Sequence, residues 1–520
     1  MSNKNAIEMS AESRLVELER ILTSTISLQG DSVSIETYID IFRLLYDEVL
    51  NSSLKREKRF IKFIAWAKPY VNKINQLQMS IKDYDILKVI GRGAFGEVAL
   101  VKLKKTQRVF AMKIMHKWQL VHKADTACFR EERDILVHGN HDWITKLYYA
   151  FHDDKSLYLV MEYYVGGDLL TLLARHEYNI PEPTVRFYSA EIIMAIDSLH
   201  ELGYVHRDIK PDNILIDKFG HIRLGDFGSC LKMDARGFVT SKVAVGTPDY
   251  ISPEILRGME DNRPRYGKEC DWWSLGIVIY EMFCGDTAFY AESLLETYSK
   301  IMNHASNLVF PEQLEDKANA CLLLKGLICD REHRLGRNGI AEFKSHPFYE
   351  GIDWENLKNT RPPEEGIPKI ENELDTSYFD TDTEDLTAPD FDAPSGLGTM
   401  PFTGNHLPFV GFTYSEKSKF SDNNQLASDE CGQLFLQIAE LKSTLADYEK
   451  LQKESQPTQM RETLDALKHE KERMEGELDR ILGQFKEKER ESKEFLRLNE
   501  ETAHELGDVK SQLRKGFLVF

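Results

Sequence analysis

The sequence predicts an α+β fold of two lobes, preceded by helices and followed by a coiled coil. Three observations lead to this prediction. Apolar residues recur at helical spacing before residue 84 and after residue 432, segments of β-strand composition fill 84–162, and helical spacing returns from residue 182. The chain has 520 residues, too many for a single small binding module and suited to about two to four domains.

Helices are predicted in the N-terminal region, residues 1–83. Helical spacing runs through 11–50 with a break at Gly30–Asp31, and again through 57–77, after a basic cluster at 55–59. Amphipathicity fits two roles equally, a helical cap on the next domain or a dimerisation surface.

One domain is predicted over residues 84–348. Its first part contains ILKVI, EVALVKL, RVFAMKI, LYYAF and LYLVME, which predict a small antiparallel sheet. After Gly167 the pattern becomes helical, at 182–202, 271–284, 292–302 and 317–329. A sheet lobe should therefore precede a helical lobe.

Two segments of different character follow in the C-terminal part of the chain. Within the tail at 349–422, the stretch 371–400 holds nine acidic residues and no Lys or Arg, which predicts an extended strap. From Met460 to Leu513 a heptad repeat has eleven apolar residues at sixteen core positions, so a marginally stable coiled coil is predicted over 432–515.

Charge and cysteine content exclude some classes of function. The net charge of −19 disfavours binding to nucleic acid or to an anionic bilayer through the field of the whole molecule. Seven cysteines without C-x-x-C spacing indicate neither a disulfide framework nor a zinc site. The sequence also shows no apolar run of transmembrane length and no secretory signal, so we expect a soluble, intracellular protein.

A glycine-rich segment lies between the first two predicted strands. It matches G-x-G-x-x-G-x-V, a pattern whose glycines let backbone N–H groups approach phosphate oxygens, and it comprises Gly91, Arg92, Gly93, Ala94, Phe95, Gly96, Glu97 and Val98. Dinucleotide-binding folds use the same spacing, but there the third glycine opens a helix. Here a strand follows, which favours a phosphate-covering hairpin.

Acidic, basic and amide side chains suited to phosphoryl transfer follow. Lys113 lies on the next-but-one strand, H-R-D places Asp208 before Lys210 and Asn213, and D-F-G places Asp226 further on. Phosphoryl transfer needs a carboxylate at the attacking hydroxyl, a cation near the transferred group and a metal on the phosphates. Asp208, Lys210 and the pair Asn213 with Asp226 match these three needs, the last as oxygen ligands of the kind Mg²⁺ prefers.

Because of these motifs, residues 84–348 resemble a eukaryotic protein kinase domain. The resemblance implies a bilobal kinase fold that binds ATP and Mg²⁺ in its cleft. It pairs Lys113 with Glu132, with Glu131 as the alternative. It also implies contacts to the nucleotide from Ile90, Ala111, Met161 as gatekeeper, and the backbone of Glu162 and Tyr164.

The same resemblance implies a serine/threonine protein kinase. Lys210 beside H-R-D is the mark of that specificity, and Asp168, Asp212 and Glu281 occupy places where basophilic kinases bind Arg or Lys upstream of the target. Their alternative role is that of solvated surface charge.

The tail after the domain resembles that of AGC-group kinases. Phe409 and Phe412 match a hydrophobic motif, in which two rings dock into a groove on the small lobe. A phosphate on Thr413 would add negative charge for nearby basic groups to hold. Phe379, inside the strap, takes the place of a side chain that lies against the nucleotide.

The N-terminal segments 38–47 and 65–69, the segment 143–145 and the predicted coiled coil together resemble the myotonic dystrophy kinase-related kinases, near Rho kinases and citron kinase. The similarity covers nearly the whole chain. This implies a homodimer in the cytoplasm at the cytoskeleton or cell cortex, with myosin light chain and the myosin phosphatase targeting subunit as substrates. A Rho-family GTPase would bind through regions not found here, so the chain would be a fragment or a short form. Val243 replaces a common activation-loop phosphothreonine, and we hypothesise that dimerisation substitutes for that phosphate.

Two other classes of function fit the sequence less well. The first is a coiled-coil scaffold with an inactive kinase-like domain. Such a domain commonly lacks the counterpart of Lys113, Asp208 or Asp226, whereas this sequence has all three. A nucleotide-binding oxidoreductase would require the glycine-rich turn to open a helix.

Overall fold

The computed structural model describes residues 26–28, 31–93, 96–123, 127–178, 180–241, 243, 245–260, 265–370, 372, 374–379 and 406–416. These residues belong to one compact unit, Thr25–Lys417. The coiled coil at 432–515, the helical spacing before residue 25 and most of the acidic strap lie outside the described residues.

The N-terminal region begins with a hairpin of β1 (Ile26–Leu28) and β2 (Asp31–Val33), which are antiparallel. The sequence predicted only a break at Gly30–Asp31, because strands this short carry too few residues for a period to be visible. Two helices follow, α1 (Ile35–Asn51) and α2 (Lys58–Leu77). They pack on each other through a small apolar core that contains Tyr46, Ala67, Val71, Phe42, Phe63, Ile64 and Trp66.

The sheet lobe is one antiparallel sheet of six strands in the order β14-β6-β7-β5-β4-β3. The strands are β3 (Tyr84–Gly93), β4 (Gly96–Leu103), β5 (Val109–His116), β6 (Leu147–His152), β7 (Ser156–Met161) and β14 (Tyr414–Ser415). Two helices, α3 (Lys117–His122) and α4 (Phe129–His138), interrupt the strand sequence. The prediction of an antiparallel sheet is confirmed, and the tail supplies a strand that the sequence did not reveal.

The second lobe is helical. Its helices are α5 (Leu169–Arg175), α6 (Glu182–Glu201), α7 (Pro253–Glu260), α8 (Glu269–Cys284), α9 (Leu294–Met302), α10 (His304–Asn307), α11 (Glu312–Glu315), α12 (Ala318–Leu327) and α13 (Ala341–Lys344). Helices α6, α8, α9 and α12 lie where the sequence predicted helices, and the others were not predicted. Helix α8 is buried almost along its whole length and packs against α6 and α12. None of the described helices is long and apolar enough to cross a membrane.

Three pairs of short antiparallel strands shape the loops of the helical lobe. They are β8 (Tyr204–Val205) with β11 (Leu231–Lys232), β9 (Ile214–Ile216) with β10 (Ile222–Leu224), and β12 (Phe238–Thr240) with β13 (Arg265–Gly267). The segment 203–228, between the first two helices predicted for this lobe, is therefore partly ordered into strands. It holds the H-R-D and D-F-G residues, and Asp226 of D-F-G reaches Lys113 of the sheet lobe.

Candidate active site

The glycine-rich segment forms the turn of the β3–β4 hairpin. Gly91 lies opposite Val98, and Gly93 lies opposite Gly96; Ala94 and Phe95 lie outside the described residues. A Cβ at Gly96 would lie 1.8 Å from the carbonyl oxygen of Ile114, so strand β5 requires glycine there. A Cβ at Gly91 would meet no protein atom within 4 Å, so this glycine leaves open space beside the backbone, as a bound phosphate requires.

Strand register places the lysine of β5 beneath this hairpin. Lys113 is opposite Val98 on β4 and opposite Leu159 on β7. Its Nζ lies 2.6 Å from Oε1 of Glu132 and 2.8 Å from Oδ1 of Asp226. The structure thus pairs Lys113 with Glu132 and not with Glu131, and it brings strand, helix α4 and D-F-G together at one ammonium group.

This ion triad fixes the charge state of its members. Burial disfavours the charged form of Lys113, but Asp226 and Glu132 outweigh it and raise the pKa of Lys113 above its usual value. Lys113 in turn lowers the pKa of Asp226 to about 2, whereas burial raises the pKa of Glu132. The carboxylate of Asp226 is therefore ionised throughout the physiological range of pH.

Asp226 also has an unusual backbone and a side chain open to the cleft. Its φ is +51°, a left-handed value that costs a non-glycine residue about 1–3 kcal/mol and is typical of functional sites. About half of its side-chain surface, 52%, is exposed. The structure thus holds an ionised carboxylate in a strained conformation, facing the space under the glycine-rich hairpin.

The carboxylate of Asp208 is held by three neighbours. Thr247 donates to Oδ1 from its backbone N–H at 2.9 Å and from its hydroxyl at 2.8 Å. Asn213 Nδ2 donates to the carbonyl oxygen of Asp208 at 2.7 Å and lies 3.3 Å from its Oδ2. Lys210 Nζ donates to the Thr247 hydroxyl at 2.9 Å and lies 3.5 Å from Oδ2. A carboxylate oriented in this way can accept a proton from an alcohol beside Lys210.

A buried aspartate in α8 supports this loop from below. Asp271 accepts from the backbone N–H of His206 at 2.9 Å and of Arg207 at 2.8 Å, and it lies 2.8 Å from His200 Nε2. Burial acts to raise the pKa of Asp271, but its hydrogen bond with His200 and the charges around it lower the pKa overall. Arg207 has φ of +71°, so Asp271 stabilises a strained turn just before Asp208.

The predicted metal ligands fit a magnesium ion that also binds phosphate. Asn213 is buried, and because its amide nitrogen donates to Asp208, its amide oxygen is the atom that can bind a cation. Asp226 supplies an ionised oxygen. No group of three or more His, Cys, Asp or Glu side chains able to hold a metal occurs among the described residues. Two protein oxygens are sufficient for Mg²⁺, which completes its octahedron with water and phosphate.

The predicted adenine contacts lie along one edge of the sheet lobe. Ala111 on β5 is opposite Leu100 and Met161, and Ile90 precedes the glycine-rich turn on β3. After Met161 in the chain, the backbone N–H of Glu162 donates to the carbonyl oxygen of Lys146 at 3.0 Å, and the side chain of Tyr164 is buried. Strand register thus brings Ala111 and Met161 side by side, and the other predicted contacts lie on β3 and just after β7.

The three predicted peptide-binding carboxylates differ in their surroundings. Asp212 is exposed next to Asn213. Asp168 caps helix α5 by accepting from the N–H of Thr171 at 2.8 Å. Glu281 is buried and accepts from the Tyr250 hydroxyl at 2.7 Å. Burial, together with Asp212, Asp249 and Asp286, raises the pKa of Glu281 to about 7, so its carboxyl is partly ionised near neutral pH and a cationic side chain bound there would favour the ionised form.

The hydrophobic motif is docked on the sheet lobe. Phe409 and Phe412 are each 1% exposed, and their ring centroids lie 5.3 and 6.2 Å from that of Phe129 on α4. The hydroxyl of Thr413 donates to the carboxylate of Asp40 on α1 at 2.8 Å. The side chain in contact with Thr413 is therefore acidic. Phe379 stacks on Tyr163 at 5.5 Å, the residue between the predicted adenine contacts Glu162 and Tyr164.

Sequence reasoning missed three residues of this region. No motif assigned a role to Thr247, although the structure joins it to Asp208 and Lys210. Arg130 of α4 donates to the carbonyl oxygens of Pro408 and Val410. Asp40 joins α1 to the tail across 373 residues of sequence, and no local pattern could reveal that contact.

Comparison with known proteins agrees with this geometry. The family described as "Protein kinase domain" matches residues 84–349, and the one described as "Protein kinase C terminal domain" matches residues 370–414. Among curated proteins, serine/threonine-protein kinase MRCK alpha of Homo sapiens is 57% identical over 426 residues, 80% of this chain and 24% of the relative.

Two further relatives give the same result. MRCK beta of Homo sapiens is 54% identical over 421 residues, 81% of this chain and 24% of the relative. Serine/threonine-protein kinase mrck-1 of Caenorhabditis elegans is 52% identical over 429 residues, 81% of this chain and 27% of the relative. The chain therefore spans about a quarter of the length of these curated relatives.

Proposed function

The chain belongs to the protein kinase family, in the AGC-group branch related to the myotonic dystrophy kinase, and from this premise we propose that it is an ATP-dependent serine/threonine protein kinase. The observation that carries the proposal is the convergence of Lys113, Glu132 and Asp226 within hydrogen-bond distance, in a cleft that also contains the oriented carboxylate of Asp208.

Each side chain has a distinct part in the proposed transfer. Asp208 orients the substrate hydroxyl and accepts its proton, while Thr247 and Lys210 hold the carboxylate in place. Lys113, fixed by Glu132, binds the α- and β-phosphates. Asn213 and Asp226 would hold Mg²⁺, which supplies neutralisation of charge on the phosphate oxygens. The backbone of the glycine-rich hairpin covers the phosphates, and Ile90, Ala111, Met161, Glu162 and Tyr164 form the adenine pocket.

Charge supports a preference for substrates with upstream Arg or Lys. Glu281 is buried among Asp212, Asp249 and Asp286, and a guanidinium bound there would relieve their mutual repulsion. Asp168 is the third proposed contact. We extend the proposal to myosin light chain and the myosin phosphatase targeting subunit as substrates, and to regulation of actomyosin downstream of a Rho-family GTPase bound by regions outside this chain.

Assembly is part of the same proposal. We assign a helical dimerisation or capping region to 1–83, the kinase domain to 84–348, the AGC tail to 349–422 and a coiled coil to 432–515. Apolar side chains that remain exposed on α1 and α2, Ile41, Leu45 and Ile61, support an N-terminal contact between two chains, and the predicted coil would raise its effective concentration. We place the homodimer in the cytoplasm at the cytoskeleton or cell cortex.

A radiolabelled-ATP assay on the purified full chain with a basic serine peptide tests the activity. We expect incorporation of label that Asp208→Ala and Asp226→Ala each reduce by at least about a thousand-fold. Asp316→Ala, at an exposed helix end, is the control and should match the parent protein. Equal labelling by the parent and Asp226→Ala would instead indicate a contaminating kinase and favour the scaffold.

A further inference from the structure

Tyr178 has a backbone conformation that the end of the neighbouring helix does not explain. Its φ is +55°, and that of Glu177 is +50°. The end of α5 accounts for Glu177, whose N–H donates to the carbonyl oxygen of Ala174 at 3.0 Å while the N–H of Tyr178 donates to that of Leu173 at 2.8 Å. This bonding pattern needs one left-handed residue, and Tyr178 is a second. Such conformations are strained in non-glycine residues and cluster at functional sites.

A glycine at the end of helix α8 makes room for Tyr178. A Cβ at Gly285 would lie 3.2 Å from the Cβ of Tyr178 and 3.6 Å from its Cγ. Gly285 caps α8 with a φ of +84°, and its N–H donates to the carbonyl oxygen of Glu281 at 2.8 Å. Residues four apart lie on the same face of a helix, so Tyr178 packs one turn away from Glu281.

The Tyr178 side chain combines apolar packing with acidic surroundings. It is half-buried and packs against the apolar core of the helical lobe. Burial, followed by the charges of Glu281, Asp286 and Asp212, raises the pKa of its phenol. Asp212 and Asp286 also act on Glu281. The ring therefore shares its surroundings with the carboxylates proposed to bind a basic side chain of the substrate.

We propose that Tyr178 is a specificity-determining residue that stacks on the guanidinium of a substrate arginine, so that the acidic site selects arginine over lysine. The proposal rests on the proposed kinase function, since it uses the same carboxylates. A guanidinium is planar, so a ring can cover its face while the N–H groups at its edge donate to Glu281 and Asp212. A lysine ammonium is a compact and strongly hydrated point charge, so it gains less from the ring.

Initial rates of the full chain test the proposal with three peptides that differ only in one upstream residue, which is arginine, lysine or alanine. We expect the parent's kcat/KM to be at least about ten-fold higher for the arginine peptide than for the lysine peptide, and Tyr178→Asn to reduce this ratio to about two. Asparagine tolerates a left-handed φ, so the thermal midpoint should stay within a few degrees. Tyr178→Phe keeps the ring and should keep the ratio.

A second aromatic residue and the alanine peptide provide the controls. Phe219 lies on the turn between β9 and β10 and is 63% exposed. Phe219→Asn removes a ring from the same lobe and should leave the ratio of arginine to lysine unchanged. The kcat/KM for the alanine peptide should be the same in the parent and in every variant, because this peptide has no cation for the ring to contact.

Three results would overturn the proposal. They are equal use of the arginine and lysine peptides by the parent, an unchanged ratio in Tyr178→Asn, and a loss in that variant that is as large for the alanine peptide. Fluorescence anisotropy of labelled peptides measures binding without turnover. A parent chain that transferred no phosphate, but bound the arginine peptide more tightly by a margin that Tyr178→Asn abolished, would contradict the proposed function and support the role of Tyr178.

Discussion

Arg334 binds the carboxylate of Glu254 with two N–H groups, and the second of these bonds, from Nη2 to Oε2, measures 3.1 Å. Arg334 is 2% exposed and Glu254 is 7% exposed. Arg334 Nη1 also donates to the carbonyl oxygen of Glu269, the first residue of α8. The pair thus joins helix α7 to the start of α8, which is the most buried of the described helices.

Arg334→Ala should be strongly destabilising, because it leaves the Glu254 carboxylate buried without its partner. We expect a loss of about 3–5 kcal/mol in the free energy of unfolding, measured by urea denaturation. The control is Arg337→Ala three positions away, where the side chain is 45% exposed and lies 3.9 Å from Glu269. It should cost less than about 1 kcal/mol, and equal losses would contradict the buried-pair explanation.

Gly96→Ala and Gly91→Ala should affect different properties, thermal stability in the first variant and ATP binding in the second. The first places Cβ against the Ile114 carbonyl, so we expect lower thermal stability and a disturbed hairpin. The second places Cβ in open space, so the melting temperature should stay unchanged while the KM for ATP rises about ten-fold. Calorimetry and initial-rate kinetics separate the two effects. A parent-like KM in Gly91→Ala would argue against phosphate binding at this glycine.

Thr247→Ala should lower kcat about ten-fold with little change in the KM for ATP. The hydroxyl links Lys210 to Asp208, and without it the carboxylate loses a hydrogen bond to a charged acceptor, worth about 1.5–3 kcal/mol. Thr247→Ser preserves the hydroxyl and should restore most of the rate. If the serine variant were as slow as the alanine variant, the hydroxyl could not be the operative group.

Binding of basic peptides should depend on pH near neutrality. Because the pKa of Glu281 is about 7, the side chain is mostly neutral at pH 6 and mostly charged at pH 8. The KM of a peptide with upstream Arg should therefore fall roughly five-fold between these values. Glu281→Gln should flatten this dependence. A peptide without the upstream Arg is the control for pH effects on the catalytic groups, and an identical profile for both peptides would exclude Glu281 as the cause.

Local patterns in the sequence predicted most of the fold and of the catalytic cleft. Strand alternation and helical spacing are local, and the residues around Asp208 and Asp226 lie in short motifs, so chemistry and spacing were sufficient. The pairing of Lys113 with Glu132 instead of Glu131 depends on the rotation of α4, which packing against the tail determines. Asp40 and strand β14 were missed because their partners are hundreds of residues away in sequence.

Strand β14 has a consequence for any shortened form of the protein. Tyr414 and Ser415 pair with Ala150 and Tyr149 of β6, and this pairing covers the outer N–H and C=O groups of that strand. A chain that ended before Phe409 would expose the margin of the sheet together with the groove that holds Phe409 and Phe412. Unpaired margins of this kind favour self-association, so we expect such a shortened chain to aggregate more readily than the longer one.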